Sequence, residues 1–140
     1  MIVHTKEHGD IEVDEKDVIR FPQGLYGFEG ARNFVLLPGG ADSPFFWLQC
    51  ADSPDPRFVV TDPHLIAEGY RVPAAEVAAL ISLQEESSLR LLAITTVTAG
   101  AREIYVNLKC PIVINGKDNI AAQAILEENY PLRFYLHKEG

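Results

Sequence analysis

The stretch over residues 44–63 constrains the fold of this chain more than any other. It contains two short runs of aromatic and β-branched residues, 45–50 and 57–61, which are typical of half-buried β-strands. The residues between them, 52–56, include two prolines and two aspartates, which favour a turn and disfavour the middle of a ladder. We therefore predict two inner strands joined by a tight turn, with Trp47 in or near the core.

Short apolar runs separated by turn residues recur along the rest of the chain. Alternation of apolar and polar residues from Ile104 to Leu108 is the clearest period-two signal, and it predicts that Leu108 points inward. Residues 64–71 fit strand and coil equally well. Roughly nine or ten short strands at this spacing predict a mainly β, antiparallel β-barrel-like fold. The other predicted strands are a first hairpin over 2–13 that turns at residues 8–10, and runs at 18–21, 34–37, 89–97, 112–114 and 121–126.

One segment, residues 73–83, has a good helix pattern. Pro73 suits the first position of a helix, and Val77, Leu80 and Ile81 have helical spacing. Because a helix of two to three turns needs tertiary support, we expect it to plug one end of the barrel. A chain of 140 residues, 47% of them hydrophobic, is long enough for one core. We therefore predict a single domain over 1–140 with one short helix.

The chain is acidic, with a net charge of −8. This charge repels a phosphate backbone on average, so we predict no direct nucleic-acid binding. Seven acids and three bases give the first thirty residues a charge of −4. This excess is either a solvated edge that favours solubility or a surface that docks on, or repels, a charged partner. The candidate residues are Glu7, Asp10, Glu12, Asp14, Glu15 and Asp17.

The chain lacks the sequence patterns that carry catalytic or metal chemistry. The chain has no P-loop, nucleophile elbow or dinucleotide-binding glycine motif, and its four histidines lack metal-ligand spacing. We predict no catalytic, cofactor-binding or metal-binding residues. Asp52 and Asp55 could be read as paired carboxylates, but turn-capping explains them more simply. Cys50 and Cys110 lie in apolar runs without C-x-x-C spacing, which favours buried free thiols.

The same patterns bear on location. No apolar run approaches the ~18 residues of a membrane span, and the first residues do not form a secretory signal. We therefore expect a cytoplasmic protein that does not contact membranes. We also expect it to be monomeric when alone.

Residues 21–30, FPQGLYGFEG, form a glycine-rich loop that carries three large apolar residues. Interface energy usually concentrates in a few such side chains, so Leu25, Tyr26 and Phe28 are candidate partner-binding residues. An open apolar patch is also a liability. The alternative is that the loop folds these side chains into the mouth of the barrel.

Three stretches in order resemble the FliW family of flagellar assembly factors. They are FPQGLYGFEG at 21–30, FFWLQCADSPDPRFVVTDP at 45–63 and VNLKCPIVIN at 106–115, and the resemblance covers nearly the whole chain. Tyr26 departs from the family pattern, which usually has proline there, and this puts the turn geometry in question. We recognise no family pattern in the final segment, LRFYLHKEG at 132–140.

The resemblance implies a compact β-barrel-like fold without catalytic activity or cofactor. It also implies two protein partners, flagellin and the small dimeric RNA-binding translational regulator CsrA. A free factor would hold CsrA and relieve repression of flagellin translation, and accumulated flagellin would occupy the factor and restore repression. Two other classes stay open on the residues alone. One is a β-barrel enzyme that binds a small ligand or flavin, and the other is a general chaperone.

Overall fold

The computed structural model describes residues 1–139, which are mainly β-strand. One short α-helix, α1, covers Ala74–Val77 and continues into a 3-10 turn at Ala78–Leu80. Within these residues the strands are β1 (Ile2–Thr5), β2 (Gly9–Glu12), β3 (Ile19–Arg20), β4 (Asn33–Pro38), β5 (Phe45–Cys50), β6 (Arg57–Thr61), β7 (Leu89–Val97), β8 (Glu103–Val106), β9 (Ile112–Asn115), β10 (Ile120–Gln123) and β11 (Phe134–Lys138).

Seven strands close into a barrel in the order β7-β6-β5-β4-β3-β10-β9 and back to β7. Closure depends on β7, which is long enough to pair with β9 through 89–92 and with β8 through 95–97. The pairings are antiparallel except that between β3 and β10. β8 and β11 extend the sheet beyond the barrel, and β1 and β2 form a separate hairpin. The predicted antiparallel β-barrel-like fold with one short helix is confirmed.

The apolar residues form three clusters. The first fills the barrel and includes Phe21, Phe34, Leu48 and Val60. The second lies on the outer face of β7, β9 and β10, where Ala93, Val113 and Ala122 contact the segments before and after them in the chain. The third lies under the β1–β2 hairpin, against Val35 of β4. Because both faces of several strands are covered, these strands carry apolar residues on both sides.

The helix does not plug the barrel, so that prediction is wrong. Val77 and Ile81 are 1% and 0% exposed and pack in the outer cluster with Val113. These two residues are four positions apart and therefore lie on the same face of a helix. The helical segment covers the outside of the barrel, while residues packed inside already fill it.

Trp47 is half-buried on the outside of the barrel, contrary to our expectation. Its neighbours Phe46 and Leu48 belong to the barrel interior, and side chains alternate along a strand, so Trp47 points outward. The guanidinium carbon of Arg57 lies 5.6 Å from the centre of its ring. The 44–63 hairpin itself has the predicted strands, and Cys50 and Leu48 do face the core.

Two further boundaries differ from the predictions. The first hairpin turns at residues 6–8, and Gly9 already pairs with Thr5. The final segment, for which we recognised no pattern, contains β11, which pairs with β8 and has a bulge between Tyr135 and His137. The ambiguous segment after Pro63 begins with a 3-10 turn, Pro63–Leu65, and contains no strand.

Candidate functional site

The glycine-rich loop, residues 21–30, is a compact series of turns. Gly24 donates a backbone hydrogen bond to Phe21 (2.9 Å), and Phe28 donates to Leu25 (2.8 Å). Gly24 has φ +68°, and a Cβ at this position would lie 2.6 Å from the Cα of Glu29. The loop therefore requires glycine there, both for the left-handed backbone and for the close approach of two backbone segments.

Leu25 is buried, so it is not available to a partner, and its inclusion among the exposed candidates is wrong. It is 2% exposed and packs in the barrel interior. The backbone bridge between Leu25 and Phe28 fixes the turn so that Leu25 points inward. The interpretation that the loop folds apolar side chains into the barrel is correct for this residue.

Tyr26 and Phe28 remain accessible, with exposures of 58% and 45%. The Phe28 ring packs edge-on against Phe58, with 5.1 Å between ring centres. Tyr26 donates its backbone N–H to Oε1 of Gln123 on β10 (3.1 Å), and the Gln123 amide donates to the carbonyl of Cys110 (3.3 Å). The loop is thus attached to the barrel, which holds the Tyr26 side chain outward on a supported turn.

The six acidic candidates all lie in or just after the β1–β2 hairpin and are exposed, but several have local partners. Glu7 pairs with Nε of Arg57 at 2.7 Å, and its side chain is only 22% exposed. Asp10 contacts His4 (2.7 Å), and Glu12 contacts the N-terminal ammonium (3.1 Å). Asp14 accepts a hydrogen bond from the backbone of Lys16.

Glu15 and Asp17 form no ion pair within the residues that the structure describes. Together with Asp10, Glu12 and Asp14 they make an acidic edge, defined here as residues 10, 12, 14, 15 and 17. Glu7 is not part of the acidic edge, because its carboxylate forms an ion pair with Arg57.

The turn at 52–56 uses its aspartates as structural acceptors. Asp52 accepts from the Asn33 amide (3.0 Å), and Asp55 accepts from Lys6 (2.5 Å) and Arg57 (2.7 Å). The hydrogen bond from the Lys6 ammonium is the main reason that the pKa of Asp55 is below its ordinary value, and Arg57 adds to the effect. Both carboxylates therefore have structural partners, but these are side chains and not backbone N–H groups of the turn, so the turn-capping prediction is wrong in its detail.

The thiols and the other ligand-type side chains are dispersed. Cys50 is buried, Cys110 is partly buried, and both are free; burial raises the pKa of the Cys110 thiol. No three His, Cys, Asp or Glu side chains within residues 1–139 are grouped so that they could hold a metal ion. The helices of this region are also too short to cross a membrane.

Sequence reasoning missed a groove at one end of the barrel. Its volume is about 870 Å³, and Ile19, Leu36, Leu92, Ile114 and Asn119 are among the residues that line it. Most of its lining comes from residues 62–75 and 86–92, and the groove reaches β3 and β4 at Ile19 and Leu36. Because segments far apart in the chain form this groove, no local sequence pattern indicates it.

Comparison with known proteins gives a consistent family. The family model described as "FliW protein" matches residues 2–136. A flagellar assembly factor FliW from Carboxydothermus hydrogenoformans is 37% identical over 90% of this chain and 82% of its own length. Another, from Ruminiclostridium cellulolyticum, is 32% identical over 99% of this chain and 96% of its own length.

A solved structure supports the same conclusion. It is described as the crystal structure of the flagellar assembly factor FliW, and it superposes with a TM-score of 0.88 at 35% identity, covering 97% of this chain and 96% of that chain. Fold, sequence and the ordered motifs agree along the whole length, and the resemblance noted from the sequence is confirmed. The chain belongs to the FliW family.

Proposed function

We propose that this chain is a non-catalytic, cytoplasmic flagellar assembly factor that binds flagellin and, in its absence, the RNA-binding regulator CsrA. The observation that carries the proposal is the match to FliW proteins over residues 2–136, in sequence and in fold. Its relatives are flagellar assembly factors by name. The alternation between the two partners would couple flagellin translation to the amount of flagellin in the cell.

The acidic edge supports a role in opposing RNA binding. An acidic body with a charge of −8 that docks on a basic RNA-binding protein adds negative potential beside the RNA site. Phosphates are then repelled even where the two surfaces do not overlap. Because solvent ions screen exposed charges, with a Debye length of about 8 Å at physiological salt, the effect weakens as salt increases.

Tyr26 supports a role for the glycine-rich loop in binding flagellin. Its aromatic side chain is 58% exposed on a turn whose backbone is anchored to β10, so binding does not have to order the turn. Exposed aromatic residues often dominate interface energies. Phe28 contributes less free surface because one side of its ring packs on Phe58.

The test of the proposed function is binding and competition with purified proteins. The chain should bind flagellin and CsrA separately in calorimetry, and flagellin should displace CsrA. Binding to neither would overturn the proposal. Binding to many unfolded proteins would instead indicate a general chaperone, and a bound chromophore or flavin in the purified protein would indicate a small-ligand barrel.

The electrostatic part has its own test. We would convert the acidic edge to amides (Asp10→Asn, Glu12→Gln, Asp14→Asn, Glu15→Gln, Asp17→Asn) and measure CsrA affinity and RNA displacement at low and high salt. The matched control removes five charges elsewhere, at Glu68, Glu85, Glu127, Glu128 and Glu139, which are also exposed. Equal RNA displacement by the two variants at low salt would contradict a specific role for the acidic edge.

A further inference from the structure

We propose that the end of the barrel beside Leu36 is a docking site for an extended peptide segment that carries apolar and basic side chains and adds to the edge of β4. The site consists of a free strand edge, a groove with an apolar wall and an acidic rim. We assign this segment to the basic regulator CsrA, and this choice of partner rests on the function proposed above. The site itself is argued from the geometry of residues 12–38.

The edge exists because β3 ends its pairing with β4 early. The two strands pair only at Ile19 with Phe34 and Arg20 with Asn33. In the same register, Asp17 would lie opposite Leu36. The chain instead enters a 3-10 turn at Glu15–Asp17, which the Asp14 side chain caps. This turn directs the backbone away from β4 and leaves Leu36 without a neighbour on that side.

The register of β4 with β5 shows which backbone groups face the open side. Ala51 donates to the carbonyl of Asn33 (2.8 Å), and Gly39 donates to the carbonyl of Phe45 (3.1 Å). Hydrogen-bonded and non-hydrogen-bonded pairs alternate in an antiparallel ladder. Val35 and Leu37 therefore bond to β5, whereas Leu36 directs its N–H and C=O away from it.

No backbone partner for Leu36 is present on this open side within residues 1–139. The Leu36 side chain is 37% exposed. Pro38 also faces the open side by the same alternation and offers a C=O but no N–H. The edge thus offers one donor and two acceptors, enough for a short segment that binds reversibly by strand addition.

A groove with an apolar wall lies directly beside this edge. A cavity of about 450 Å³ borders Leu36, Leu37 and Ile19. It shares Ile19, Leu36 and Asn119 with the larger groove at the end of the barrel, whose lining includes Leu92 and Ile114 and also Arg71 and Arg90. A side chain of the added segment that points inward would lie on these apolar residues, so the site selects an apolar residue at that position.

The acidic rim beside the edge favours a segment with basic side chains. Glu12, Asp14 and Asp17 line the smaller cavity. Glu12 and Asp14 have nearby cations, the N-terminal ammonium and Lys16, but Asp17 forms no ion pair within the described part of the chain. A basic side chain next to the inserted apolar residue would meet this carboxylate, and an acidic segment would be repelled.

Hydrogen exchange of single amides tests strand addition. In the free protein, the Leu36 amide should exchange at least tenfold faster than those of Val35 and Leu37, because only the latter two bond to β5. In the complex with CsrA, the exchange of Leu36 should slow at least tenfold. Unchanged exchange of Leu36 in a saturated complex would overturn the proposal.

A charge variant tests the rim. Asp17→Lys should weaken CsrA binding at least tenfold, whereas the matched control Glu128→Lys, with the same change of charge at another exposed position, should leave it unchanged. Equal affinities for the two variants would overturn the role of the rim. A loss of affinity without protection of Leu36 in the unaltered protein would indicate charge steering only, and would also overturn strand addition.

Synthetic peptides separate this proposal from the proposed function. If CsrA does not bind the unaltered protein, the proposed function is overturned. The docking site can still be tested with the basic peptide acetyl-KVKVK-amide and its acidic counterpart acetyl-EVEVE-amide. The basic peptide should slow exchange at Leu36 and the acidic peptide should not. Absence of protection by the basic peptide, or equal protection by both, would overturn the site.

Discussion

The carboxylate of Glu7 lies 2.7 Å from Nε of Arg57, and this pair joins the tip of the first hairpin to β6. The same guanidinium contacts Asp55 (2.7 Å) and lies over the Trp47 ring. Lys6 adds a second link between the two hairpins, also through Asp55. The 44–63 hairpin is therefore a scaffold to which the acidic N-terminal hairpin is attached.

Removing the Glu7 charge should weaken this attachment. We expect Glu7→Gln to lower the free energy of unfolding by about 1 kcal/mol, the upper range for a partly exposed ion pair. The control Glu15→Gln, at an exposed residue that forms no ion pair within residues 1–139, should change it by less than about 0.5 kcal/mol. Urea unfolding at pH 7 measures both, and equal stabilities of the two variants would show that the Glu7–Arg57 pair is not stabilising.

The Asp55 carboxyl should titrate below the ordinary range of an aspartate because of Lys6. A lowered pKa in the folded protein means that the ionised form stabilises the fold. This contribution is present above the unfolded-state pKa, near ~3.9, and is lost as pH falls through the folded-state pKa. We expect Lys6→Gln to raise the pKa of Asp55, measured by carboxyl NMR titration.

The stability of the same variant gives an independent check. At pH 7 Lys6→Gln should be slightly less stable than the unaltered protein, and the difference should shrink as pH falls through the lowered folded-state pKa of Asp55. A difference that persists at low pH would show that Lys6 stabilises the fold by packing and not through Asp55. Lys16→Gln serves as a control, because Lys16 lies 3.7 Å from Asp14 and is 78% exposed.

The sequence predicted the strands of this fold better than their surroundings. Alternation and turn residues identify β5 and β6, but both strands carry apolar residues on both faces. Phe46 and Val60 face the barrel interior, whereas the paired residues Trp47 and Val59 lie on the outer face. The apolar pattern alone does not show which face of β5 lines the barrel interior. The prediction that Trp47 lies in or near the core is wrong for this reason. The wrong prediction for α1 has the same cause, because the apolar residues Val77 and Ile81 would fit a cluster inside the barrel or one outside it.

Elements that depend on distant pairing were harder to predict. β11 is held by pairing with β8, and its bulge between Tyr135 and His137 breaks the alternation that would have revealed it. In the glycine-rich loop, composition could not distinguish Leu25 from Tyr26. Only the backbone bridge that closes the turn directs one side chain inward and the next outward.

Two glycine substitutions in this loop should separate the cost of a positive φ from the cost of a close contact between backbone segments. Gly24→Ala combines an unfavourable φ of +68° with a Cβ that would overlap the backbone of Glu29, so we expect a loss of about 3 kcal/mol or more in the free energy of unfolding. Gly27→Ala has φ +85° but no atom within 4 Å of the added Cβ, and its cost should be about 1 kcal/mol. Thermal unfolding measures both, and similar costs would contradict the close approach at Gly24.

Tyr26 and Phe28 should respond differently to truncation, because only Phe28 has an aromatic partner in the barrel. Phe28→Ala removes the edge-on contact with Phe58 and should lower the free energy of unfolding by about 1–2 kcal/mol. Tyr26→Ala removes a side chain that is 58% exposed and keeps the backbone hydrogen bond to Gln123. Its stability should change by less than about 0.5 kcal/mol.

Flagellin binding should depend more on Tyr26 than on Phe28, the reverse of their effects on stability. If Tyr26 anchors flagellin, Tyr26→Ala should weaken flagellin binding at least about tenfold, equivalent to ~1.4 kcal/mol, in calorimetry at a temperature where the variant is folded. Tyr26→Phe, which keeps the ring, should retain most of the affinity. Leu132→Ala is a control, because Leu132 is similarly exposed at 60% and lies outside the loop. Unchanged flagellin affinity of Tyr26→Ala would remove the glycine-rich loop from the flagellin site.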